Sequence, residues 1–176
     1  MAYADKFLQT HHVVQALCPD VSDVARLGDI VSMKNYDHVT VLFSFGAINA
    51  GVDADITFYA CSNVAGDNAT QITPISYRQI LTGADQWSTA SEITNGTIDV
   101  VSNGHVDEDE DCCTVAVEFD AADIYNASTT AGLDLDCFQV RMSAPGPTST
   151  LELGVNYILY PGCRYASRQM PSAIID

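Results

Sequence analysis

LGDIVSMKNYDHVTVLFSFG, residues 27–46, is the stretch on which the fold of this 176-residue chain turns. In its second half Val39, Val41, Phe43 and Phe45 alternate strictly with His38, Thr40, Leu42 and Ser44. A period of two built from β-branched and aromatic residues marks a strand with one face on a core. Residues 28–33 form a shorter strand ahead of it, set off by the turn-prone Lys34-Asn35-Tyr36-Asp37. A short strand, a polar link and a long core strand begin a sheet.

Downstream, Ala54 to Cys61 alternates again, with Ile56 and Phe58 opposite Thr57, Tyr59 and Cys61. Residues 71–81 are strand-like, but Pro74 demotes them to an edge, a bulge or two shorter pieces. Thr97 to Val101 is a short strand. Cys113, Val115, Val117 and Phe119 share one face of another, and a helical turn is expected near Ala122 to Tyr125. Between Leu133 and Met142 the apolar parity switches, as a β-bulge or a strand passing between sheets would require. Leu151, Leu153, Val155, Tyr157 and Leu159 define the last strand. About eight strands without helix–strand alternation predict an all-β, antiparallel β-sandwich, with the jelly roll as one candidate form. Upstream, Tyr3, Phe7, Val14 and Leu17 are spaced as on one helical face. The expected organisation is an N-terminal arm or short helix over 1–26, a sandwich over 27–163 and a tail over 164–176.

Seven Lys plus Arg stand against 23 Asp plus Glu, a net charge of −16. Duplex binding needs clustered cations, so nucleic acid is not an expected partner. No apolar run reaches the length of a membrane span, and no basic stretch followed by an apolar run marks a signal peptide at the N-terminus. No membrane partner is expected. Six cysteines are present (18, 61, 112, 113, 137 and 163), and without a secretion signal they are read as free thiols.

No motif for nucleophilic or phosphate chemistry occurs. The run Asp107-Glu108-Asp109-Glu110-Asp111 alternates carboxylates as calcium loops do, but lacks the turn glycine and closing glutamate of an EF-hand. It is read as a solvated loop that discourages edge pairing. His11-His12 is too small a set for a metal site. Sequons at Asn68, Asn95 and Asn126 are read as polar loops. No catalytic residue, metal or cofactor is expected, and the chain is read as a non-enzymatic protein.

The stretch GDIVSMKNYDHVTVLFSFG, followed by an Ala- and Gly-rich turn and ADITFYACSN (54–63), resembles small virion structural proteins of tailed bacteriophages. The family is that of head decoration, or cement, proteins, and the resemblance covers roughly residues 27–80. It implies a capsid-binding protein on the virion exterior, made in the host cytoplasm. Its partners would be the major capsid protein and further copies of itself, a trimer being one hypothesis. Tyr3 and Phe7 on the arm and Arg164 and Arg168 on the tail are the candidate contact residues. The alternative is a carbohydrate- or cell-surface-binding sandwich in which Trp87, Tyr77, Tyr125 and Tyr157 stack on sugars.

Overall fold

A computed structural model describes residues 7–161 except 75, 94, 103, 108–109, 129–132 and 147; at 8, 9 and 161 it describes the backbone alone. Twelve strands and two short helices occur among the described residues. They are α1 (Phe7–Thr10), β1 (His12–Ser22), β2 (Arg26–Leu27), β3 (Val31–Ser32), β4 (Tyr36–Ile48), β5 (Asp53–Cys61) and β6 (Thr70–Ile72). There follow β7 (Ser76–Ile80), β8 (Ser91–Glu92), β9 (Thr97–Val101), β10 (Thr114–Asp120), α2 (Ala121–Tyr125), β11 (Cys137–Met142) and β12 (Leu151–Pro161).

The first sheet runs β1-β12-β4-β10-β7-β8. The second runs β2-β11-β5-β6, with β3 also on β11 and β9 also on β5. Every strand pairing is antiparallel. The partners nest from the outside inward. β1 pairs with β12, β2 and β3 with β11, β4 with β10, and β5 with β6 and β9. Nesting of this kind, shared between two sheets, is the jelly roll. The strand count exceeds eight because two of the eight positions are split in two, and β7 and β8 extend the first sheet beyond β10.

The alternation in the sequence translates directly into burial. Val39, Val41, Phe43 and Phe45 of β4 face the core with Val115, Val117 and Phe119 of β10. Leu151, Leu153, Val155, Tyr157 and Leu159 of β12 complete that layer, and Ile56, Phe58, Phe138 and Val140 oppose it. Phe58 is the aromatic hub between the sheets, with ring centroids 5.0 Å from Phe119 and 6.1 Å from Phe43. Phe138 lies 5.1 Å from Phe119 and 5.4 Å from Tyr157. These edge-on and tilted pairs suit the aromatic quadrupole.

Three local expectations change. The helix expected over 3–17 is confined, among the described residues, to Phe7–Thr10, and residues 12–22 are the edge strand β1. β1 carries register irregularities between Gln15 and Leu17 and between Leu17 and Asp20. Each extra residue breaks the period of two and spaces Val14 and Leu17 as a helix would. The boundary at residue 26 therefore falls inside the sandwich. Pro19 is tolerated because β1 is an edge, and Gly154 of β12 leaves it room; a Cβ there would lie 2.7 Å from Pro19 Cγ.

Pro74 does separate two pieces, and they belong to different sheets, β6 to the second and β7 to the first. The parity switch at 133–142 is neither a bulge nor a sheet change. Strand β11 begins only at Cys137, and Leu135 enters the core from the preceding segment.

Candidate functional site

The outward residues of the first sheet, alternating with its core residues, floor a groove of about 1130 Å³. His38, Thr40 and Leu42 come from β4, Ala116, Glu118 and Asp120 from β10, and Ile158 and Tyr160 from β12. Its walls include Trp87, Arg78 of β7, and Asp123 and Asn126 at α2. α2 is set here by local capping, since the Asp120 backbone N–H donates to Asp123 Oδ2 at 3.2 Å.

At one end His38 sits between two carboxylates, its Nδ1 2.9 Å from Asp120 Oδ1 and its Nε2 3.6 Å from Glu118 Oε1. Both carboxylates are well exposed. Thr40 Oγ1 lies 3.4 Å from both Glu118 Oε1 and Tyr160 Oη. An aromatic column continues from there. His38 meets Tyr160 edge-on at 5.1 Å, Tyr160 meets His11 at 4.4 Å, and His11 stacks on Phe7 at 4.6 Å. Phe7 is thus placed at the groove's end and remains 48% exposed. The other candidate contacts, Tyr3, Arg164 and Arg168, lie outside the described residues.

Trp87 stands in the groove wall, 43% exposed, on a loop fastened to β7. The Ser88 backbone N–H donates to Gln79 O at 2.8 Å, and the Gln79 N–H donates to Ser88 Oγ at 3.1 Å. Arg78 Nη1 donates to Ser88 O at 3.3 Å. The stacking platform expected from four aromatics does not form. Tyr157 is a core residue; Tyr77 lines the groove but is buried, its hydroxyl donating to His105 O at 3.2 Å; and Tyr125, although exposed, is not among the lining residues. Parity explains the loss, because Tyr157 lies in register with the core positions of β12.

The acidic run is more than a solvated loop. Asp111 Oδ1 accepts the Ile48 N–H at 2.7 Å, and Glu110 Oε2 accepts the Asp107 N–H at 3.2 Å. The Thr82 hydroxyl donates to the Asp111 carbonyl. These contacts tie the β10 approach to the end of β4. Among the described residues, no group of three or more His, Cys, Asp or Glu is arranged to hold a metal ion.

A second acidic cluster lies on the outer face of the second sheet, where Asp55 of β5 is directly opposite Asp99 of β9. Burial, then the charges of Asp99 and Asp53, raise the Asp55 carboxyl above the usual range. His105 Nδ1 lies 3.3 Å from Asp99 Oδ2. The five described cysteines are free thiols, and Cys163 lies outside the described residues. No helix among the described residues is long and apolar enough to cross a membrane.

The outward parity of His38, Thr40 and Glu118 was legible in sequence, but not their assembly with Tyr160 and Trp87 across strands far apart in the chain.

No protein-family model matches the chain, and no curated protein matches it. Among solved structures it is similar to the SPBc2 prophage-derived protein YomS, with 16% identity over 85% of this chain and 91% of that one, and a TM-score of 0.37. It is also similar to VP2 of infectious bursal disease virus in a subviral particle, with 14% identity and a TM-score of 0.28. That match covers 94% of this chain and 45% of the VP2 chain, so the chain spans less than half of VP2. At these scores the fold stands on its own strand pairing.

Proposed function

We propose that this chain is a non-enzymatic structural protein of a tailed-phage virion, a decoration protein that binds the outside of the capsid lattice. The observation that carries the reading is where the virion-protein resemblance falls. Residues 27–80 include β4 and β5, interior strands of the two sheets, so the likeness lies in the framework of the jelly roll. A surface motif grafted on an unrelated fold would fall elsewhere.

The work of such a protein is adhesion, with many weakly bound copies adding through avidity. The nesting supports this use. His12 pairs with Leu159, so the first residues of β1 and the last of β12 share one corner of the sandwich, beside Tyr160 and Phe7. Of the four candidate contact residues, Phe7 is the one at this corner, where it offers an exposed aromatic ring to a neighbouring surface. The neighbours are the major capsid protein and further copies of this chain, with a trimer as the symmetric assembly proposed.

Quantitative mass spectrometry of density-purified particles tests the reading. Hundreds of copies in fixed ratio to the major capsid protein are expected, on the order of a lattice's own copy number. A handful per particle would move the protein to the tail or portal, and absence from particles would refute a virion role.

A further inference from the structure

We infer that the groove on the first sheet is a binding site for a neutral oligosaccharide, with Trp87 as its stacking platform. Trp87 opens its indole into the groove while remaining 43% exposed, and the backbone beside it is held in place. Gln79 and Arg78 fasten Ser88, the next residue, through three hydrogen bonds of 2.8, 3.1 and 3.3 Å. Fixing the backbone that carries the ring lowers the ordering cost at the moment of binding, which is how anchored aromatics contribute affinity.

The surroundings match a sugar's two kinds of surface. An indole face takes the apolar C–H face of a pyranose. Arg78, Asn126 and Glu118 supply donors and acceptors for ring hydroxyls. At about 1130 Å³ the groove exceeds the usual small-ligand pocket of roughly 300–1,000 Å³, so a chain of several sugar units fits better than one.

Charge selects among saccharides. Glu118, Asp120 and Asp123 outnumber the one permanent cation of the lining, Arg78, so uronic or sialic acids are repelled. The site's ligand contacts include none of Tyr3, Phe7, Arg164 and Arg168, so the assignment does not rest on the virion role, although the Tyr160 end of the groove adjoins that corner.

Trp87 is the chain's only tryptophan, so its fluorescence reports this groove alone. The intact protein would be titrated with cellotetraose, maltotetraose and chitotetraose, with tetragalacturonate as the anionic control. A neutral-glycan array would extend the panel. Saturable change in Trp87 emission with at least one neutral glycan is expected. Calorimetry should show the affinity for that glycan falling by roughly tenfold or more in Trp87→Ala. Asn126→Ala, which leaves the indole in place, should weaken binding as well. Circular dichroism would confirm that both variants fold. No binding to any neutral glycan, preference for the anionic one, or binding unchanged in Trp87→Ala would each overturn the assignment.

Discussion

The Tyr157 hydroxyl, carried by β12 of one sheet, accepts a hydrogen bond of 2.8 Å from the Val140 backbone N–H of β11 in the other. Tyr157 is fully buried, and that burial raises its phenol far above its ordinary value, so it stays protonated. Gly28 makes the contact possible, since a Cβ there would lie 3.0 Å from Val140 O and 3.1 Å from the Tyr157 hydroxyl. Tyr157→Phe would strand a buried N–H, at a cost of about 1–3 kcal/mol in chemical denaturation. Gly28→Ala should cost a similar amount through overpacking, about 1–3 kcal/mol. The double variant should lose less than the two singles together, because removing the hydroxyl relieves one of the contacts.

Asp111 anchors the acidic loop through its 2.7 Å bond to the Ile48 N–H. Asp111→Ala is expected to lower stability by about 1–2 kcal/mol, despite removing a charge from a strongly acidic protein. Glu92→Ala, at an exposed acid of β8, should change stability by less than about 0.5 kcal/mol. Thermal melts of the two variants would separate a specific tie from general charge relief.

Asp55 and Asp99 place like charges directly across the β5–β9 pair. The Asp55 carboxyl is raised, by burial first and then by Asp99 and Asp53, so the folded state holds its proton more tightly than the unfolded chain. Its contribution is therefore complete below the unfolded pKa and is lost as pH rises through the folded one. Asp55→Asn should raise Tm by about 1–3 °C at pH 7 and leave it nearly unchanged at pH 3.

The thiols divide by burial. Cys18 and Cys112 are exposed, whereas Cys61, Cys113 and Cys137 are buried. Burial, reinforced by nearby Glu110, pushes the Cys113 thiol up to about 12. Peptide mapping after iodoacetamide treatment at pH 8 should find Cys18 and Cys112 alkylated promptly. The buried three should react only as fast as the sandwich opens. Prompt labelling of Cys61 or Cys137, which are paired across β5 and β11, would contradict the strand register.

Alternation carried most of the fold. β10, β12 and the middle of β4 from His38 to Phe45 keep a period of two because each lies in the interior of its sheet with one face on the core. At both its ends β4 slips register against β12, where Tyr36 and Ile48 turn inward. β1 was hidden because its irregularities at Leu17 imitate helical spacing, and an edge strand with Pro19 lacks the usual composition. The groove was only half legible. Its floor follows from outward parity, but its walls depend on which strands neighbour β10 and on the Ser88 fastening of Trp87, contacts that local patterning does not encode. Tyr157 shows the reverse case, where an aromatic suited to stacking on a ligand is claimed by the core.

The pairing of β1 with β12 also sets the order of events at the ribosome. His12 to Ser22 must wait for Leu151 to Leu159 before the first sheet gains its edge, so the first of the described strands to be made is among the last to find its partner. Contacts so distant in sequence slow folding, because loop closure precedes any reward from pairing. Until then the apolar side of β1 stays open to other nascent chains, a hazard shared by folds built from remote strands. The jelly roll closes only after β12 has emerged.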